Sequence, residues 1–230
     1  MPRIAAKNMA KHVGIVACSA EGAALCYRTL CAEAPALMGE HGHPEITLHT
    51  HPLADYMVHI RAGNWAGVAD LMLSSCRKLA EAGAELAICP DNTIHQAFGL
   101  VEPRSPVPWL HIARVVADEA ARRGFSRLGV LGTRYLMEGP VYPDALAPRG
   151  IAALIPDPAD RERINTIIFK ELVNAVFPEQ SRLYFNCVMA HEPQLQHLAS
   201  VSRPRASQMS GVSSHRPMGQ VLESAATAWR

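Results

Sequence analysis

The first long apolar run, Val13–Cys18 (VGIVAC), ends in the small residues Ser19 and Ala20, and Glu21-Gly22 then open a helical pattern that reaches Leu30. Continuous apolar positions followed by 3.6-residue spacing predict a strand, a turn and a helix. Ile46–Thr50 (ITLHT) reads as a second strand, and Trp65–Ala82 as a strongly periodic helix stopped by Gly83. Leu86–Cys89 (LAIC) is a third strand that runs into Pro90-Asp91-Asn92-Thr93. Strands that alternate with helices imply a parallel sheet.

The pattern then starts again. A helix over 113–123 ends at Gly124, Leu128–Gly132 (LGVLG) is strand-like, and Thr133 stands where Ser19 stood. Ile151–Ile155 mirrors the second strand, and Ile164–Phe177 reads as another amphipathic helix. The expected fold class is α/β, with two pseudo-symmetric Rossmann-like domains over 1–105 and 106–190, each with a parallel sheet, joined near Pro103–Pro108.

Equal spacing in the two halves places a further strand near residue 207, where the sequence SVSRPRASQMSGVSSHRP has no apolar run. Residues 200–230 hold seven serines, whereas residues 1–199 hold six. The second domain is therefore expected to be incomplete at its C-terminal end, with a serine-rich tail over 191–230 and a break between about Val188 and Ser200. A shifted reading frame and genuine divergence both account for such a tail.

Charge narrows the function. The 22 basic and 21 acidic side chains leave a net charge of +1, which supplies no field for nucleic acid or an anionic membrane. Six cysteines stand singly without CxxC pairs, mostly in apolar runs, as expected of buried thiols in a reducing compartment. The run after Lys11 imitates a signal peptide, but Glu21 and Arg28 interrupt it, and nowhere do eighteen uncharged apolar residues occur together. The expectation is a cytoplasmic protein with no membrane or nucleic-acid partner.

In doubly wound sheets ligands bind beyond the carboxyl ends of the strands. Ser19, Thr50, Asp91, Asn92, Thr93 and Thr133 all fall at such ends and offer short polar groups suited to a small anionic substrate. VACSAEGAA matches neither GxGxxG nor GxxxxGK[ST], so a dinucleotide or ATP is not favoured.

AICPDNTIHQAF, VGIVACSAEGAA, LGVLGTRYLM and IIFKELVNAVF together resemble the aspartate/glutamate racemase family, from about residue 12 to residue 190. The resemblance implies a cofactor-independent isomerase, commonly a homodimer, whose substrate is an amino acid or small dicarboxylate held between two α/β domains. It also implies two acid/base groups, one on each face of the substrate Cα, because inversion removes a proton from one side and delivers it from the other. Both are usually cysteines. Here Asp91 stands at the first position, with Ser19, Thr50, Asn92, Thr93 and Thr133 as substrate-binding residues and His95 as support. The second belongs to a Cys-Thr-Glu-like motif that this chain lacks, and Cys187 lies too soon after IFKEL to be it. The resemblance thus implies an amino-acid racemase impaired by a missing second cysteine. The alternatives are a decarboxylase or isomerase of a small diacid, and a non-catalytic carboxylate-binding protein.

Plainer roles stand beside these. Asp91-Asn92-Thr93 also reads as an Asx-turn that caps the next helix. His41, His43, His49 and His51 form the one histidine cluster, without the carboxylate or cysteine that completes a zinc set, so no metal is expected. His95, at i+4 from Asp91, is placed to touch its carboxylate. His111 and Cys89 read as core, Glu21 as a complement to the helix dipole, and Arg134 and Arg163 as solvated cations or partners of a substrate carboxylate.

Overall fold

The computed structural model describes residues 10–191 and 198–200. Among these residues seven strands form two parallel sheets. The first has the order β2 (Ile46–Thr50), β1 (Val13–Ala17), β3 (Leu86–Ile88), β4 (Trp109–Leu110). The second has the order β6 (Ala152–Leu154), β5 (Arg127–Leu131), β7 (Leu198–Ser200). The helices are α1 (Ala20–Glu33), α2 (Pro35–Met38), α3 (Leu53–Arg61), α4 (Trp65–Glu81), α5 (Phe98–Val101), α6 (Ile112–Arg122), α7 (Arg134–Met137), α8 (Val141–Leu146), α9 (Pro158–Lys170) and α10 (Glu179–His191).

All five residues of β1 are buried, which is why its sequence is apolar without alternation: helices cover both faces of a central parallel strand. On α4, Val68, Ala69, Met72, Leu73, Cys76 and Leu79 are buried along one stripe. The helix starts where Asn64 accepts the Gly67 amide at 3.0 Å and ends before Gly83, whose φ of +96° few other residues adopt. A Cβ on Gly14 would lie 3.1 Å from Leu79 and Ala84, so glycine in β1 lets α4 seat close to the sheet. Leu73 is fully buried in this core. Leu73→Ala is expected to remove about 3 kcal/mol of stability, seen as a lower denaturant midpoint.

The second core gathers Ala113, Val116, Leu128, Val130, Tyr142 and Leu146 from α6, β5 and α8. The expected linker, Pro103–Pro108, lies before β4, so the first sheet takes its fourth strand from beyond those prolines. Tyr135 and Phe169 from the second half pack against the first core.

Two expectations need correction. The late helix does not span 164–177: Asp157 caps it through the Asp160 amide at 2.8 Å, and Pro158 occupies its first turn. It stops at Lys170, whose carbonyl accepts from the Asn174 side chain, and Ala175 then turns left-handed at φ 59°. Starting from the first apolar residue missed a start signal that lies in polar sequence.

The other correction concerns the tail, which was expected to give the second sheet no strand. Leu198–Ser200 pairs with Gly129–Leu131 in parallel, as β3 pairs with β1. Three residues are too few for an apolar run to register, and the partner strand supplies the order. The position near 207 and the remaining tail lie outside the described residues. Among the described residues no helix is long and apolar enough to cross a membrane.

Candidate active site

β1 and β3 are neighbours in register, Val13 opposite Leu86 and Ile15 opposite Ile88, so their carboxyl ends deliver Ser19 and Asp91 to the same edge. One oxygen of the Asp91 carboxylate accepts the backbone N–H of Cys18 at 3.0 Å. The other accepts the Ser19 N–H at 3.1 Å and a short hydrogen bond from the Ser19 hydroxyl. Ser19 is also the N-cap of α1 and accepts the Gly22 amide at 3.3 Å.

Asp91 does not cap the turn that follows it, Asn92–Ala97, with its side chain. The plainer Asx-turn role thus gives way to a reach across to α1, where the oriented amides of the helix start favour an anion. Burial still pushes the Asp91 carboxyl above its ordinary value, against the opposing pull of the Ser19 hydroxyl and the Cys18 and Ser19 amides. The residue keeps partial exposure. An enclosed carboxyl with raised affinity for a proton is suited to proton transfer.

Ser19→Ala removes a hydrogen bond that favours the ionised form. The Asp91 midpoint is expected to move further up in a carbon-13 titration of its carboxyl, and the lost cap is expected to lower stability by about 1 kcal/mol.

The next two residues face the second half. Thr93 Oγ1 lies 2.7 Å from Thr133 Oγ1, and Thr133 also caps α7 by accepting the Leu136 amide at 3.2 Å. Asn92 is buried, and its Oδ1 accepts from the Tyr142 hydroxyl at 2.8 Å. Its Nδ2 has no partner among the described residues. Sequence reasoning missed Tyr142, which sits between Pro140 and Pro143 at the start of a six-residue helix too short for periodicity to develop. It missed the two amides on Asp91 as well, because backbone donors carry no residue signature.

His95 is buried and touches Asp91, but through the backbone: its Nδ1 lies 3.1 Å from the Asp91 carbonyl oxygen, so Nδ1–H donates and the carboxylate is not involved. The i+4 spacing brought the ring to the right residue and the wrong group, since Asp91 turns its side chain to α1. The ring stacks on Phe98 and meets His111 edge-on at 4.7 Å. Burial, then the neighbouring His111, push its pKa down to about 3. His111 caps α6 by accepting the Arg114 amide at 3.3 Å.

Thr50 ends β2 opposite Ala17, but it is exposed and its hydroxyl donates to the His51 carbonyl at 2.9 Å, outside the Asp91 group. His49 and His51 share a face, with ring centroids 4.9 Å apart. Ser75 and Lys78 engage His49, and Ser74 engages His51. Among the described residues no group of three or more His, Cys, Asp or Glu side chains is placed to hold a metal ion. Arg134 pairs with Glu162 at 3.5 Å, and Arg163 lies over the Tyr184 ring. Cys18 and Cys89 are buried, and burial, with Asp91 as the next cause, pushes both thiols well up.

Residues 6–190 match the Asp/Glu/hydantoin racemase family model. A Yersinia pestis protein assigned to the Asp/Glu racemases is 31% identical, with a TM-score of 0.69 over 79% of this chain and 80% of that one. An aspartate racemase homologue from Pyrococcus horikoshii is 25% identical, with a TM-score of 0.63 over 75% and 76% of the two chains. The Picrophilus torridus aspartate racemase, 17% identical, shares the fold with a TM-score of 0.66 over 82% and 79%. With the family match taking in the whole first sheet, β5 and β6 of the second, and the loop that carries Asp91, the chain belongs to the Asp/Glu/hydantoin racemase family.

Proposed function

We propose that this chain is an amino-acid racemase of the aspartate/glutamate type, working without a cofactor, in which Asp91 takes the proton from the substrate Cα. The observation that carries this reading is the enclosed Asp91 carboxyl at the carboxyl end of β3, with its raised proton affinity, beside Asn92 Nδ2, which has no partner among the described residues.

In this reading the substrate α-carboxylate accepts from Asn92 Nδ2 and from the Thr93–Thr133 pair. Its Cα–H faces Asp91, and Ser19 and the Cys18 amide hold that carboxylate in place. Asp91 removes the proton, and the C–H electron pair moves into the substrate carboxylate, where the same donors balance the added charge. Return of a proton to Cα from the far face completes inversion.

Delivery from the far face calls for a second acid/base group, and the sequence contains no Cys-Thr-Glu motif of the kind the family resemblance implies for it. We therefore propose that inversion draws its second proton from water and runs slowly. A single acid/base position also suffices for decarboxylation of a malonate-type diacid, in which one proton is delivered and none is removed.

The test is to incubate the full chain, dialysed and without added cofactor, with L-aspartate and L-glutamate and to separate enantiomers chromatographically. Slow appearance of a D-enantiomer is the expected result. Release of carbon dioxide from a malonate-type acid, with no D-enantiomer from either amino acid, would overturn racemisation in favour of decarboxylation.

A further inference from the structure

We infer that Tyr142 is a positioning residue: its hydroxyl, reaching over from the second half, fixes the Asn92 amide so that the loop presents two N–H donors to a carboxylate. The identity of that carboxylate as an amino-acid substrate rests on the racemase reading above, whereas the fixing of the amide does not.

Tyr142 and Asn92 are 50 residues apart along the chain, both are buried, and their hydrogen bond of 2.8 Å joins the two halves. A side-chain amide has two faces of opposite character, an acceptor oxygen and a nitrogen with two donors. With the phenol donating to Oδ1, the group left over is Nδ2, a buried atom without a partner among the described residues. The flipped amide would satisfy one Nδ2 hydrogen on the phenol oxygen and leave both Oδ1 and the phenolic proton unpaired. That arrangement carries the larger desolvation penalty.

Burial pushes the Tyr142 phenol up, so it remains a donor across the working pH range. The neighbouring Thr93–Thr133 hydrogen bond holds the same loop to the start of α7, which keeps the amide from following Tyr142 away. A donor pair suits an anionic ligand group and repels an ammonium, so Tyr142 selects which end of an amino acid meets Asn92.

Calorimetric titration of L-aspartate into the full chain, Tyr142→Phe, Asn92→Ala and the double variant tests this. If Tyr142 acts through Asn92, Tyr142→Phe weakens binding about tenfold or more. In the Asn92→Ala background the same change then adds nothing. Equal loss in both backgrounds would overturn the proposal, because it would make Tyr142 a packing residue. The ligand-free nitrogen-15 spectrum supplies an independent arm: the Asn92 amide pair, assigned by its absence in Asn92→Ala, is expected to be sharp in the parent and split or broadened in Tyr142→Phe. If the parent fails to bind L-aspartate, the racemase reading falls and this spectrum alone decides, with an unchanged amide pair overturning the positioning role.

Discussion

Asp91→Asn is expected to lower proton exchange at the substrate Cα by about 10³-fold, the scale of a lost general base, while L-aspartate binding stays within a few-fold. The amide matches the carboxylate in shape and keeps one oxygen to accept from Ser19. What it loses is the ability to take a proton. Its nitrogen must also face the Cys18 N–H, a donor against a donor, so some destabilisation accompanies the chemical loss. The comparison separates two roles that the geometry combines. Asp91 ties the end of β3 to the start of α1, and it is also the enclosed carboxyl at the carboxyl end of the sheet, where the proposed function places the substrate. Unchanged exchange with reduced stability would leave only the tie.

The second large effect is acid sensitivity. His95 is buried and neutral, with its pKa pushed down to about 3, while in the unfolded chain it titrates near 6.5. Below pH 6.5 the unfolded state therefore binds a proton that the folded state refuses. The stability present above pH 6.5 is lost as pH falls toward 3. At pH 4.5 the loss reaches about 3 kcal/mol, at 1.4 kcal/mol per pH unit. His111, pushed down to about 4, adds a smaller loss of the same sign because it is more exposed.

Asp91 works in the opposite direction. Its raised pKa lets the folded state keep a proton that the unfolded state has released, so that contribution is complete below about pH 3.8 and is lost as pH rises through the folded value. Urea midpoints measured from pH 7 to pH 4 are expected to fall steeply in the parent and less steeply in His95→Phe, which retains the stack on Phe98. Parallel profiles in the two proteins would contradict the assignment of the acid loss to His95.

Much of the fold was legible because it rests on local patterns. VGIVAC and its echo LGVLG mark the central strands, since a strand covered on both faces shows no alternation, and Gly83 and Gly124 mark helix ends that need a left-handed residue. β7 was not legible: three residues carry no period, and β5 supplies their order. The candidate site was legible as a set of positions at strand ends, and far less so as contacts. Asp91 could be placed at the end of β3, but its turn toward α1 depends on two backbone amides that no residue type announces. His95 followed from i+4 spacing, yet its partner is a carbonyl. Thr50 sits at a strand end like the others, but β2 is the edge of the sheet and its hydroxyl turns to His51. Tyr142 comes from the opposite half, in a stretch whose prolines hide a short helix.

All of this converges on where one carboxyl group meets one hydrogen. Proton NMR of a single enantiomer of aspartate in heavy water, with the full chain, reads that encounter directly. The Cα hydrogen is predicted to leave to Asp91, exchange there with heavy water, and be replaced by a deuteron delivered from that same side, so exchange outruns inversion and the labelled molecules keep their configuration. Deuterium confined to newly inverted molecules would show two opposed acid/base groups and would contradict it.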